Sequence, residues 1–128
     1  MKLSLTTEQV TKLLEAYYKQ TEESDVKISV KIDQSENYYG ESYTVGKIIR
    51  TDEITILGEK IQGENEILQE EVQGILGTLL EEEGYSIQSM HYNTGVTTDD
   101  YPGCSNYERA YFSGIELTVQ KNIKEKVK

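Results

Sequence analysis

The sequence feature that most constrains the fold is the periodic segment 63–84, GENEILQEEVQGILGTLLEEEG. Its apolar residues recur at helical spacing and form one broad stripe, which consists of Ile67, Leu68, Val72, Ile75, Leu76, Leu79 and Leu80. This pattern predicts an amphipathic helix whose stripe faces the core and whose last turn ends at Gly84. The opposite side of the same helical wheel carries Glu66, Glu70, Gln73, Gly74, Gly77 and Glu81. We therefore predict an acidic helix surface that faces solvent or a partner.

Two features of this segment cost stability. A glycine inside a helix costs about 1 kcal/mol relative to alanine, and Gly74 and Gly77 lie on the polar side, where core crowding does not explain them. Glu81, Glu82 and Glu83 occupy the last turn, where the helix dipole disfavours each carboxylate by about 0.3–1 kcal/mol at low salt. One interpretation is that the glycines are neutral drift and the glutamates serve solubility. The other is that a partner approaches this side of the helix.

The negative charge of the chain is distributed unevenly. The formal net charge is −10, and no lysine or arginine occurs from residue 61 to residue 108. That window holds ten acids, and the remaining 13 acids (23 − 10) are matched by all 13 bases of the chain. A field of this sign repels nucleic acid and anionic membranes and attracts basic protein surfaces. The predicted partner is thus a basic protein, with no direct nucleic acid and no membrane.

Length and cysteine content set the broad class. A chain of 128 residues is predicted to form a single domain, 1–128, with a frayed basic tail at 121–128. No apolar run is long enough to cross a bilayer, and the N-terminus lacks the apolar core of a secretory signal. Cys104 has no cysteine to pair with, which favours a reducing, cytoplasmic location. The use of Lys, Glu, Ile, Asn and Tyr hints at an AT-rich bacterial or phage genome.

The remaining elements are predicted from local patterns. Thr6 and Gln9 form a capping box that opens a helix to about residue 19. Period-two alternation predicts a strand at 26–32, and further strands are expected at 43–49, 54–61, 85–92 and 109–120. Residues 50–53 are predicted to form the tight turn of a hairpin, and residues 93–107 are predicted to form a long loop. No internal repeat is recognised. The order α-β-β-β-α-β-β predicts an α+β two-layer sandwich, with an antiparallel sheet of about five strands and two helices on one face.

No coherent catalytic or metal-binding set is recognised. Cys104 and His91 are the only thiol and imidazole, but no third orienting group is indicated and nearby acids disfavour a thiolate. Asp99 and Asp100 could offer oxygens to a cation, yet the spacing of known calcium loops is absent, and the residues equally suit a turn. The chain is therefore predicted not to be an enzyme and to hold no cofactor or metal.

Tyrosines form the second candidate surface. Ten of the eleven aromatic residues are tyrosines, a residue that is enriched in interfaces and binding loops. The predicted partner-binding residues are Tyr38, Tyr39, Glu66, Glu70, Gly74, Gly77, Glu81, Glu82, Glu83, Asp99, Asp100, Tyr101 and Tyr107. Together they describe a small acidic, non-enzymatic binding protein. A sharper form of this hypothesis is a phage or mobile-element inhibitor that mimics nucleic acid with its carboxylates.

Two alternatives stay open at this point. One is a small-molecule-binding domain or enzyme with a pocket under the 93–108 loop, lined by His91, Tyr92, Cys104 and Tyr107. The other is a component of an oligomer, in which Gly74 and Gly77 let two helices approach or a sheet edge pairs with a second copy.

Overall fold

A computed structural model describes residues 1–36, 39, 42–99 and 107–122, without the side chains of 34–36, 42–43, 97–99 and 107–109. The chain is α+β, with six strands and two helices over the described residues. In chain order the elements are β1 Lys2–Thr6, α1 Thr7–Glu22, β2 Lys27–Glu36, β3 Ser42–Ile56, β4 Glu59–Ile67, α2 Gln69–Glu82, β5 Tyr85–Asp99 and β6 Tyr107–Lys121.

The first helix begins as its capping box predicts. The Thr6 hydroxyl accepts from the Gln9 backbone N–H at 3.2 Å, and the Gln9 side chain accepts from the Thr6 N–H at 2.9 Å. The helix runs to Glu22 rather than to residue 19, and Glu23 closes it in the left-handed region at φ 55°. A short strand, β1, precedes this helix and was not predicted, because its pairing partner lies more than 100 residues away in β6.

The middle of the chain differs most from the prediction. Residues 50–53 do not turn; they lie inside the long strand β3. The reversal falls at Leu57 and Gly58, whose φ values of 51° and 80° match the two-residue turn that suits the twist of a hairpin. The strand β4 then continues to Ile67, so the first residues of segment 63–84 are strand and α2 starts only at Gln69.

The last two strands form one long hairpin. β5 extends to Asp99 and β6 starts at Tyr107, so most of the predicted 93–107 loop is paired strand. The register of this hairpin is irregular near Gly114, since Asn93 pairs with Gly114 while Thr94 pairs with Phe112. This bulge places Ser113 outside the regular register and lets the Phe112 ring turn into the core.

The strands form two antiparallel sheets of three, ordered β1-β6-β5 and β2-β3-β4. The prediction of a single sheet of about five strands was therefore wrong. The predicted order of elements was also wrong, because it lacked β1. The sheets approach one another where β2 meets β6 and β3 meets β5. Helix α1 contacts β2 and β6, and α2 packs mainly on β5.

The chain is an internal duplication in topology, which the sequence reading missed. Each half is strand, helix, strand, strand: β1-α1-β2-β3 and then β4-α2-β5-β6. Each half also exchanges its first strand with the other, since β1 pairs with β6 and β4 pairs with β3. Leu5 lies opposite Ile115, and in the same way Ile67 lies opposite Ile48.

Equivalent positions in the two halves are defined by this pairing. The helix N-caps are Thr6 and Leu68, so equivalent residues of the two halves are 68 − 6 = 62 positions apart. This spacing holds for the first strand, the helix and the second strand of each half. The same spacing relates Val30, opposite Ile48, to Tyr92, opposite Ile115. Counterparts share their burial: Val10 and Val72, Leu14 and Leu76, and Ile48 and Ile115 are all fully or almost fully buried.

Candidate partner-binding surface

The central element of the candidate site is the polar side of α2. Val72, Ile75 and Leu76 are buried, as the stripe predicted, whereas Leu68 is 60% exposed at the N-cap. Gly84, at φ 90°, follows the last turn, and its N–H donates to the Glu81 carbonyl. The helix thus presents Glu70, Gln73, Gly74, Gly77 and Glu81 away from the core.

This side of α2 forms one wall of a surface groove of about 540 Å³. The other wall is the start of β5, at Tyr85, Ser86 and Ile87. The residues contributed by α2 are Glu70, Gln73, Gly74, Gly77, Thr78 and Glu81. Four of the predicted partner-binding residues therefore meet in one concave feature, and no lysine or arginine is among the described residues that line it.

The two helix glycines make the groove open. A Cβ added at Gly74 would meet no atom within 4 Å, and one added at Gly77 would lie 3.9 Å from Ile87 Cδ1, an ordinary contact. Nothing in the described part of the chain therefore requires glycine at either position. Their helix-destabilising cost is unexplained by packing within this chain.

The carboxylates at the end of α2 border a second cleft. Glu81, Glu82 and Glu83 line it together with Gly84, Lys121 and Asn122, and its volume is about 450 Å³. Glu81 lines both features, so the groove and this cleft adjoin. We call the two together the α2 acidic surface, comprising Glu70, Gly74, Gly77, Glu81, Glu82 and Glu83.

The carboxylates of the α2 acidic surface differ from most other described carboxylates because they form no salt bridge. Among the described residues, eight salt bridges join acids to lysine or arginine, and their acids are Glu8, Glu22, Asp25, Asp33, Asp52, Glu53, Glu64 and Glu116. None involves a carboxylate of α2 or Glu83. Glu70, Glu81, Glu82 and Glu83 thus form no salt bridge with a described residue, although Lys121 lines the same cleft as the last three.

Glu71 is the carboxylate of α2 that the fold itself uses. The Tyr18 hydroxyl donates to Glu71 Oε1 at 3.3 Å, and the Arg50 guanidinium lies 4.3 Å from the centre of the Tyr18 ring. Burial, with the Glu71 charge as a smaller cause, raises the pKa of Tyr18. Arg50 in turn pairs with Glu22 and Asp52, so this cluster fastens α1, β3 and α2 together.

The other predicted partner-binding residues lie elsewhere or outside the described residues. Glu66 belongs to β4, opposite Ile49, and so its assignment to the polar face of the helix was wrong. It helps Asp33 to raise the pKa of Lys47. Tyr39 is 85% exposed. Asp99 and Tyr107 pair at the end of β5 and the start of β6, but their side chains, like Tyr38, Asp100 and Tyr101, lie outside the described residues.

The alternative pocket at His91 and Tyr92 is a cleft of about 210 Å³ between β3 and β5. His91 is exposed, and Cys104 and the Tyr107 side chain lie outside the described residues. No group of three or more His, Cys, Asp or Glu side chains suited to a metal occurs among the residues described. Neither described helix is long and apolar enough to cross a membrane.

Tyr92 gives a prediction that concerns stability. Its hydroxyl is buried with no hydrogen-bond partner among the described residues, and its ring packs on Phe112 with centroids 5.3 Å apart. Burial, and to a smaller extent Glu66, raises the pKa of Tyr92 from 10.0 to about 12. The neutral form is favoured in the folded state, so this contribution to stability is fully present below pH 10.0 and is lost as the pH rises to about 12.

We expect Tyr92→Phe to raise the free energy of unfolding at neutral pH by about 1 kcal/mol, because the unsatisfied hydroxyl is removed. The variant should also lose less stability than the wild type between pH 10.0 and about 12. Urea titrations across this pH range measure both effects. Tyr18→Phe is the matched control: it deletes the bond to Glu71 and should lower stability. A lower stability for Tyr92→Phe would mean that its hydroxyl has a partner.

Comparison with protein-family models, with curated proteins and with solved structures finds no match to this chain. The geometry and charge of the α2 acidic surface are therefore the features that bear on function. Sequence reasoning found the helix side of the groove and missed its strand side, Tyr85, Ser86 and Ile87. The signal available was the position of these residues directly after the helix stop at Gly84.

Proposed function

We propose that this protein is a small acidic, non-enzymatic binding protein whose α2 acidic surface docks on a basic surface of a partner protein. The observation that carries this proposal is the contrast in ion pairing. Eight carboxylates in other parts of the described chain form a salt bridge with lysine or arginine, whereas Glu70, Glu81, Glu82 and Glu83, which adjoin two open concavities, form none. The other described carboxylates without a salt bridge do not line these two concavities; they are Glu15, Glu23, Glu59, Glu66 and Glu71.

The α2 acidic surface also lowers the stability of the fold. Glu81 and Glu82 end α2 and Glu83 follows directly, where the dipole disfavours negative charge by about 0.3–1 kcal/mol each at low salt. Gly74 and Gly77 add a further cost of about 1 kcal/mol each relative to alanine. A surface that is unfavourable for folding in several independent ways is typical of a site retained for binding.

The finer form of the proposal is an inhibitor from a phage or mobile element that acts in the cytoplasm as a mimic of nucleic acid. Carboxylates without salt bridges along a groove and cleft suit the phosphate-binding residues of a nucleic-acid-binding protein. Added duplex DNA should then displace the captured partner in competition. Failure of DNA to compete would exclude the mimic and leave a partner whose basic surface has another role.

The test compares capture of proteins from a bacterial lysate by the wild type and by a variant with Glu70→Gln, Glu81→Gln, Glu82→Gln and Glu83→Gln. We expect the wild type to retain a basic partner at low salt and release it at high salt, because exposed charges are screened. The variant should lose at least about 1.4 kcal/mol of binding energy, a tenfold change in affinity.

A control variant removes the same charge elsewhere, through Glu8→Gln, Asp25→Asn, Glu53→Gln and Glu59→Gln. It should retain the partner, because none of these residues lines the groove or the cleft. Equal loss in both variants would show that net charge alone drives capture, and the proposed site would be wrong. Absence of any salt-sensitive partner would reject the proposed function itself.

A further inference from the structure

The equivalent edge strands of the two halves differ in whether a helix side chain covers their backbone. β2 and β5 are counterparts, and each lies at the edge of its own sheet. On β2, the backbone N–H of Ile28 donates to the Glu15 carboxylate of α1 at 3.0 Å. A helix side chain thus covers part of this edge, which is one way in which proteins prevent an exposed strand from pairing with another chain.

The counterpart of Glu15 in α2 is Gly77, which has no side chain to reach β5. The same correspondence of 62 residues relates Lys12 to Gly74 and Lys19 to Glu81. On α1 the two lysines pair with Glu8 and Asp25 and leave that face nearly neutral. On α2 the same positions carry two glycines and an acid, so this face is both open and negatively charged.

The exposed edge of β5 coincides with the groove. The Gly84 carbonyl accepts from the Asn122 N–H at 2.8 Å, which directs Gly84 toward β6. Because successive residues of a strand alternate, Tyr85 and Ile87 direct their backbone N–H and C=O groups away from β6. Both residues line the groove. No described residue forms a hydrogen bond to these outward backbone groups.

We propose that the groove accepts an extended, basic segment of the partner protein, which pairs with the free edge of β5 as a fourth strand. Backbone groups of Tyr85 and Ile87 bond to the segment, and Glu70 and Glu81 contact its lysine or arginine side chains. From Glu70 to Glu81 the helix spans about 16 Å, the length of about five extended residues. This inference rests on the proposed function and adds the conformation of the bound segment.

The negative charge of the groove favours a basic segment over an acidic one. Among the described residues its lining holds Glu70 and Glu81 and no base, so an acidic segment is repelled. A second copy of this chain would bring its own acidic groove to the contact, which disfavours pairing of two β5 edges. Strand addition obtains affinity from main-chain hydrogen bonds and specificity from alternate side chains, which accounts for a shallow groove with small residues.

The probe for this inference is a short capped peptide of alternating lysine and valine, titrated into the full-length protein by calorimetry. Amide hydrogen exchange followed by NMR reports on Tyr85 and Ile87. We expect binding to slow exchange at these amides. A matched peptide of the same charge, N-methylated at alternate residues, cannot form the ladder and should bind at least about tenfold more weakly.

One glycine variant inside the groove and one outside it provide a second, independent measurement. Gly77→Glu places a carboxylate where Glu15 stands in the first half, and we expect it to cap the β5 edge and weaken the peptide by about tenfold or more. The control is Gly63→Glu, which adds the same charge on β4, where a Cβ meets no atom within 4 Å and which does not line the groove; it should leave affinity unchanged. Circular dichroism confirms that both variants keep the fold.

Three outcomes would overturn the inference: no binding of the unmethylated peptide, equal binding of both peptides, or equal effects of the two glycine variants. The proposed function is judged separately, by capture of a salt-sensitive partner that depends on the α2 glutamates. A captured partner together with equal binding of both peptides would keep the basic partner and reject strand addition.

Discussion

Replacing Gly114 with alanine is expected to lower the free energy of unfolding by at least about 3 kcal/mol, and to unfold the protein if its stability is near that value. Gly114 has φ 146°, a region that residues with a side chain rarely adopt. A Cβ at this position would also lie 1.8 Å from the backbone oxygen of Leu5. The alanine would therefore force β1 away from β6 at the point where Thr6 starts α1.

Urea denaturation followed by circular dichroism measures this effect, with Gly74→Ala as the control. That substitution places a methyl group in open space on α2 and should raise the free energy of unfolding by about 0.5–1 kcal/mol. The two glycine-to-alanine changes are thus expected to have opposite signs. Wild-type stability for Gly114→Ala would show that β1 does not approach β6 this closely.

The second large effect is expected at the paired core positions of the duplicated halves. Ile48→Ala and Ile115→Ala should each lower the free energy of unfolding by about 3 kcal/mol, because both side chains are completely buried. The two losses should agree within about 1 kcal/mol, since each isoleucine lies on a central strand opposite the exchanged first strand of the other half.

Ile56→Ala provides the control on the same strand as Ile48. Ile56 is 49% exposed near the Leu57–Gly58 turn, and its truncation should change stability by less than about 0.5 kcal/mol. A large loss for one core variant with almost none for the other would contradict the equivalence of the halves. It would also remove the basis for comparing Glu15 with Gly77.

Features specified by neighbouring residues were predictable from the sequence. The start of α1 follows from Thr6 and Gln9, whose side chain and backbone groups satisfy one another within a single turn. The alternation of buried and exposed residues along β2 follows in the same way from period-two spacing. The stop at Gly84 needs only a residue that adopts positive φ.

Features that depend on distant pairing were not predictable. Ile67 fits the helical stripe of segment 63–84 by spacing, yet it is strand because Ile48 lies opposite. The pattern of a few apolar residues does not distinguish these two outcomes. β1 and the far ends of β5 and β6 were missed for the same reason, since each exists through a ladder with another segment.

The candidate site likewise has one part that was predictable from the sequence and one part that was not. Helical spacing placed Glu70, Gly74, Gly77 and Glu81 on one side of α2, and in the structure these residues line one groove. The strand edge at Tyr85 and Ile87, and the contrast with the edge that Glu15 covers, appear only once the two halves are aligned in space. Glu66 was assigned to the helix surface because its segment was predicted to be helical, whereas it belongs to β4.

The sequence by itself determined the class of fold, the caps of its first helix and the concentration of uncompensated acid in one third of the chain. Such properties follow from local geometry and from counting charges. The tertiary structure decided the exchange of first strands between two halves, and which carboxylates have a base within reach. It also decided which strand edge stays open, because hydrogen-bond partners and ion pairs depend on residues that are far apart along the chain.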